Sequence, residues 1–355
     1  MSAMTRLTKD ELFAKIEDTR AATPKLRARD VAEKLGISEG ELVCAGLGRT
    51  ATRLKGPWSE VITGLGNLGE VMALTRNHAV VHEKVGEYAN IEFSAHGGIV
   101  LNHDIDLRLF LSHWHFGFAV TEDTRSGPRR SLQFFNRDGV AVHKVYLREG
   151  SNAEAYDALV TQFRHDDQDS LIETSPVPAP AADRPDAEIA RDDMLADWAA
   201  LKDTHDFFPL LRKHKVGRQQ ALRLAEGRFA QRAPVDAVTR VLEAASASGA
   251  PIMVFVGSKG CIQIHTGPVS RIEPMGPWIN VLDEGFNLHL RTDLVADAWV
   301  VRKPTEDGDV TSVEIYDAAG DLIVQFFGER KPGMTERDDW RSLVAEAVLG
   351  QGVAA

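Results

Sequence analysis

Apolar positions along this chain change period twice. Over residues 9–20 and 28–35 they recur at the three-to-four spacing of amphipathic helices, and from residue 70 they alternate with polar ones. The alternation predicts strands at 70–75, 79–84, 89–93, 106–111, 114–120, 131–136 and 140–146, after a glycine-rich passage around Gly64, Gly66 and Gly69. The plan then repeats. Helical spacing covers 193–204, 207–213, 218–225 and 234–248, followed by strands near 252–257, 261–265, 278–282, 286–291, 297–303, 310–316 and 322–327, and a closing helix at 335–348. GSKG (257–260) and DAAG (317–320) read as hairpin turns. Helices grouped ahead of runs of short strands predict an α+β fold built as a tandem structural duplication, each lobe carrying helices followed by a large, mainly antiparallel sheet.

The repeat is visible residue by residue. Segment 131–146 (SLQFFNRDGVAVHKVY) lies over 312–327 (SVEIYDAAGDLIVQFF) with Gly139 against Gly320 in register. Asp18-Thr19-Arg20 corresponds to Asp203-Thr204-His205, each triplet following a helical pattern in which Phe13 and Ile16 match Trp198 and Leu201. Between the copies, the Pro/Ala/Asp-rich stretch 167–192 reads as a linker too stiff and polar for a core, which divides the chain into a first repeat, 1–166, and a second, 193–355. A duplicated scaffold with one divergent position points to a site that a single copy uses, and His205 marks it.

At 355 residues and 43% hydrophobic content the chain can bury two medium cores. Its net charge of -11, without a compensating basic tract, opposes binding to nucleic-acid phosphates or anionic membrane surfaces. The start MSAMTRLTKDELFAKI has no apolar h-region and no run approaches the roughly eighteen apolar residues of a membrane span, so a cytoplasmic protein is expected. Cys44 and Cys261 are the only cysteines, with no CxxC or CxxCH, which excludes a disulfide framework, a thiolate zinc site and covalent c-type haem attachment.

His205 follows Trp198 and Leu201 at helical spacing, which places it at the end of an apolar face, either as a core or capping residue or as a ligand to something that face covers. The following DFFPLLRKH supplies two aromatics and then Arg212, Lys213 and His214. Strand alternation puts Trp299, Val301 and Lys303 on one face, and Ile323, Gln325 and Phe327 on one face of another strand. With Arg218 and Arg330, these are either solvated surface charges or the cationic rim that a planar, carboxylate-bearing ligand needs. His113 and His115 flank Trp114 on a predicted strand, an arrangement that can hold a metal but lacks a third ligand at obvious spacing. GSKG is no phosphate loop, and neither GxSxG nor HExxH occurs.

Longer runs carry a resemblance. DTHDFFPLLRKH (203–214), FVGSKGCIQIHTGPV (255–269), GPWINVLDEGFNLHLR (276–291), VVRKPTEDGDVTSVEIYDAAG (300–320) and QFFGERKPG (325–333), with LTRNHAVVHEKVGEY (74–88) and IDLRLFLSHW (105–114), resemble the bacterial haem-utilisation proteins of the HemS/ChuS/PhuS family, called haemin-degrading factors or cytoplasmic haem carriers. The likeness covers nearly the whole chain. It implies one haem b held between the lobes, its iron bound axially by His205. On the opposite side Arg108 hydrogen-bonds a water or hydroxide on the iron, with Phe110 nearby. Arg218, Lys303, Gln325 and Arg330 match the family's pocket contacts in type, and Phe327 stands where some relatives have tyrosine. Arg20, at the place of the axial histidine in the first copy, has no lone pair to offer iron.

Two functions share such a site. The protein either sequesters haem arriving from an importer and passes it to a separate haem oxygenase, or degrades it, with Arg108 as the distal catalytic group. A structural or regulatory protein whose sheets bind another macromolecule is a third class. The resemblance implies iron acquisition; with no apolar run of membrane length, no membrane insertion is expected, and either a monomer or a homodimer is open.

Overall fold

The computed structural model describes residues 7–95, 97–124, 127–178, 182–331 and 333–350. The chain divides into two compact units that are not contiguous in sequence. One holds the chain up to Arg76, Glu83–Pro178 and Gly257–Gln263; the other holds Asn77–His82, the chain from the linker to Val256, and Ile264 onward. The linear order 1–166, 167–192, 193–355 thus gains two short excursions, 77–82 and 257–263, in which a hairpin from one repeat is counted with the other.

In the first unit, α1 (Lys9–Ala22), α2 (Ala28–Leu35) and α3 (Glu39–Cys44) precede the strands. Thr8 and Ser38 start α1 and α3 through reciprocal caps with Glu11 and Glu41, satisfying amide groups that have no partner within the helix. The strands are β1 (Ala51–Leu54), β2 (Val71–Arg76), β3 (Val80–Gly86), β4 (Ile91–Ser94), β5 (Gly97–Leu101), β6 (Asp106–Leu109), β7 (Phe116–Thr124), β8 (Gly127–Phe135) and β9 (Ala141–Leu147), with α4 (Trp58–Gly64) between β1 and β2 and α5 (Ala153–Gln162) at the end. They run β1-β7-β8-β9-β2, and β4-β5-β6 form a second antiparallel run. Helices cover both faces of the long run. Phe118, Val120 and Phe135 join α1–α3 on one side, while Leu132, Phe134 and Val145 join α4 and α5 on the other.

The second unit repeats this plan: α6 (Arg191–Ala199), α7 (Phe207–His214), α8 (Arg218–Leu224), β10 (Ala230–Ala233), α9 (Ala237–Ser248), then β11 (Ile252–Gly257), β12 (Cys261–Gly267), β13 (Ile272–Met275), β14 (Trp278–Asp283), β15 (Phe286–Arg291), β16 (Asp297–Thr305), β17 (Gly308–Tyr316), β18 (Leu322–Gly328) and α10 (Asp338–Leu343). Its strands run β10-β16-β17-β18-β11 and β13-β14-β15. Trp299, Val301 and Tyr316 pack under α6–α8, and Val300, Val313 and Phe326 under α9 and α10.

The duplication is preserved to the register. Val120 pairs with Ser131 and Ser131 with Tyr146, as Val301 pairs with Ser312 and Ser312 with Phe327. A bulge interrupts both second pairs, at Phe134/Phe135 and at Ile315/Tyr316. The turns before β1 and β10 each place a glycine in the left-handed region, Gly48 at φ 79° and Gly227 at φ 81°.

Three expectations change. The stretch 193–204 is not one helix: α6 ends at Ala199 and His205 lies in a separate 3-10 turn, Thr204–Asp206. The linker 167–192 does pack at its ends, Ile172 within the first unit's core and Ile189 within the second's. The 114–120 strand starts at Phe116, and His113 closes a 3-10 turn, Leu111–His113, because Trp114 is drawn into the core by a hydrogen bond from its Nε1 to the Gly260 carbonyl. The pair His113/His115 therefore does not share a strand face, and no group of three or more metal-binding side chains occurs among the described residues. No described helix is long and apolar enough to cross a membrane.

Candidate functional site

His205 owes its position to the end of α6. Trp198 and Leu201 are buried, as their spacing requires, but the chain leaves the helix before reaching the histidine. The 3-10 turn carries it outward, so its side chain is 90% exposed rather than set against the apolar face. Asp203 organises that turn. Its Oδ1 accepts the His205 backbone N–H at 2.7 Å and the ring Nδ1 at 2.5 Å, and its own N–H donates to Asp206 Oδ2 at 3.1 Å. The backbone N–H of His205 is the chief reason the Asp203 carboxyl lies below its usual range. With Nδ1 held, Nε2 is the nitrogen left to bind a metal or ligand. The counterpart Arg20 sits in the last turn of α1 and pairs with Glu17 at 2.9 Å.

Beneath α7 and α8, three of the expected contacts converge on a residue absent from the sequence reading. Glu314, on β17, is wholly buried. Arg218 holds it with a fork, Nε to Oε2 at 2.8 Å and Nη2 to Oε1 at 2.7 Å. Lys303 Nζ and Gln325 Nε2 donate to Oε1 at 3.1 and 3.0 Å, and the Ser312 and Tyr316 hydroxyls complete the shell. Burial alone would raise the Glu314 carboxyl, but Arg218 and Lys303 hold it well below the carboxylate range. The Lys303 ammonium is depressed by its own burial, with Glu314 opposing. Phe207 lies against both cations, 5.2 Å from Arg218 and 4.8 Å from Lys303, and edge-on to Trp198.

These cations are thus not the solvated surface charges of the alternative reading. Lys303 is buried, and Arg218 keeps only its far edge, Nη1, outside the pairing. Arg330 is largely buried, 3.9 Å from Asp307, with its Nη1 unpartnered among the described residues. Phe327 packs edge-on against Phe255 rather than joining the Glu314 cluster.

Arg108 and Phe110 belong to the first unit. Arg108, on β6, pairs with Asp106 and also donates to the Leu107 carbonyl at 3.2 Å, leaving about a third of its side chain exposed. Phe110 is 39% exposed at the end of β6, its backbone N–H bonded to Gly260 O at 3.0 Å. The first unit also has a buried ion cluster, with the sign of its helix residue reversed. Glu39, the first residue of α3, bonds Lys144 Nζ at 2.6 Å and Arg76, where Arg218, the first residue of α8, bonds Glu314. Lys144 matches Gln325 in the repeat, so the carboxylate moves from helix to strand while the pairing survives.

Comparison with known proteins adds a family match. The family model described as the haemin-degrading HemS.ChuX domain matches residues 36–163 and again 215–347, one match per repeat. The chain is 39% identical to the hemin transport protein HmuS of Yersinia pestis over 97% of its own length and 99% of that protein. The crystal structure of holo-PhuS, a heme-binding protein from Pseudomonas aeruginosa, superposes with a TM-score of 0.93 at 50% identity, covering 95% of this chain and 98% of that one. The heme degrading enzyme ChuS of Escherichia coli O157:H7 gives a TM-score of 0.89 at 36% identity, covering 96% and 99%.

Proposed function

Because the chain belongs to the family of the haemin-degrading HemS.ChuX domain, we propose that it binds haem through His205, takes it from an importer and delivers it onward to a separate oxygenase in the cytoplasm. Haem is its ligand or substrate, the chemistry named for relatives matched end to end. The observation that carries the ligand assignment is the exposed His205 ring, its Nδ1 fixed by Asp203 and its Nε2 open. A neutral imidazole with one nitrogen so held is the donor that haem iron takes axially. When bound, haem supplies the iron and two carboxylates. Arg218, through Nη1, and Arg330 supply cations for those carboxylates, while Lys303 and Gln325 support Arg218 through their shared hold on Glu314. A single exposed imidazole suits a cargo that must be released.

Degradation is the second reading, supported by the likeness to ChuS and by a partly exposed Arg108 able to donate hydrogen bonds to a polar ligand. Haem titration, then anaerobic reduction, then oxygen with a physiological reductant and catalase, separates the two. Loss of the Soret band with release of a tetrapyrrole supports the enzyme, and stable haem that passes to an added oxygenase supports the carrier. His205→Ala is expected to shift the Soret band and weaken binding about 100-fold, or ~2.7 kcal/mol, and Arg20→Ala to leave affinity nearly intact. His214 is not poised as a substitute ligand, since its Nε2 bonds Asp197 at 2.6 Å in a side chain only 10% exposed. An unchanged spectrum and affinity in both His205→Ala and His205→Ala/His214→Ala would remove the assignment.

A further inference from the structure

Asp203 Oδ1 accepts both of its hydrogen bonds from one residue, from the backbone N–H and from ring Nδ1 of His205. Among the described residues its only ion-pair partner within 4 Å is that histidine, with the Arg330 guanidinium acting on it from farther away. The reciprocal cap with Asp206 fixes the carboxylate in turn, so the contact is built into the turn and not left to a mobile surface pair. Resting on the reading of His205 as the iron ligand, we propose that Asp203 is the positioning residue that lends this imidazole anionic character and biases bound haem toward the ferric state.

A carboxylate accepting the Nδ1 proton polarises the ring and makes Nε2 a stronger donor. The added negative charge lowers the free energy of the more positive iron more than that of the reduced one, which lowers the reduction potential. Solvent around the turn attenuates the Coulomb effect at long range more than the direct hydrogen bond, which the turn geometry holds in place. Iron held ferric resists the reduction that oxygen chemistry requires and stays attached to a hard, basic nitrogen, properties that suit a cargo form.

Three variants of the haem-loaded full chain test this. Asp203→Asn keeps a capping and accepting oxygen but removes the charge; Asp203→Ala removes both; Asp206→Asn removes an equal charge nearby without touching Nδ1. Midpoint potential by spectroelectrochemistry and ferric-haem loss to an excess scavenger are the readouts. The potential is expected to rise in Asp203→Asn and further in Asp203→Ala, with haem loss about 10- to 100-fold faster, and both readouts are expected to stay near wild type in Asp206→Asn. A wild-type potential in Asp203→Asn would overturn the proposal, as would an equal rise in Asp206→Asn. Failure of the ligand assignment itself reads differently, as an unaltered Soret band in His205→Ala.

Discussion

At the scale of single residues, the second unit's most constrained group is a carboxylate that periodicity could not single out. The alternation in β17 places Ser312, Glu314 and Tyr316 on one face, and a glutamate there reads as a solvent position until Arg218, Lys303 and Gln325 are seen to surround it. The divergence of His205 from Arg20 was legible because the duplication sets the two positions side by side. Asp203 was not, although it lies two residues away, because whether an aspartate caps its own turn depends on where the preceding helix stops. Glu314→Gln leaves two buried cations without a counter-charge, and the expected cost is about 3–5 kcal/mol of stability. Urea unfolding followed by tryptophan fluorescence checks this, and a loss below ~1 kcal/mol would mean that Lys303 sheds its proton or that water reaches the cations.

At the scale of elements, the strands with alternating or continuously apolar runs were legible, and short pieces without that pattern were not. β1, β5, β10 and β13 span four or five residues without clean alternation, whereas the equally short β4 and β6 alternate apolar and polar side chains, and α3, α4 and α5 lie where glycines or polar residues blur the helical stripe. What joins separate elements was also hidden. His143 on β9 lies between Thr75 on β2 and Tyr88, with Nδ1 at 2.8 Å from one hydroxyl and Nε2 at 2.6 Å from the other, and Cys261 of β12 lies 3.5 Å from the Thr75 hydroxyl. Burial pushes the His143 imidazolium down to about 3 and the Cys261 thiol up to about 12, so both are neutral at neutral pH and the cysteine is not the reactive thiolate. The consequence appears on acidification. Unfolded chains bind a proton at histidine near pH 6.5 whereas the folded His143 does so only near pH 3, so its contribution to stability is intact above pH 6.5 and falls as pH drops toward 3. The expected slope is about 1.4 kcal/mol per pH unit in that window. His143→Gln should make the stability–pH curve shallower by one proton between pH 6 and 5, measured by denaturant titrations at each pH; an unchanged slope would mean that His143 protonates within the fold.

At the scale of the whole chain, duplication preserves a scaffold more faithfully than it preserves chemistry. Register, bulge and glycine turn recur in both repeats, and each keeps a buried ion cluster between its first helical layer and its sheet. Yet the helix residue of that cluster is acidic in one copy and basic in the other. The position proposed for the axial ligand differs in backbone as well as in side chain, since Arg20 continues α1 whereas His205 occupies a turn that begins only after α6 has ended. Replacing the side chain alone therefore does not recreate the His205 arrangement: in a helix, Asp18 lies two residues away on a different face and is not placed to hold an imidazole Nδ1. The expected outcome is that wild type and Arg20→His both reach their Soret end-point at one equivalent of haem, whereas His205→Ala/Arg20→His gives the weakened binding of His205→Ala. A second equivalent bound with a histidine-type spectrum by Arg20→His would show that the position, and not the turn built around it, decides which copy holds the iron.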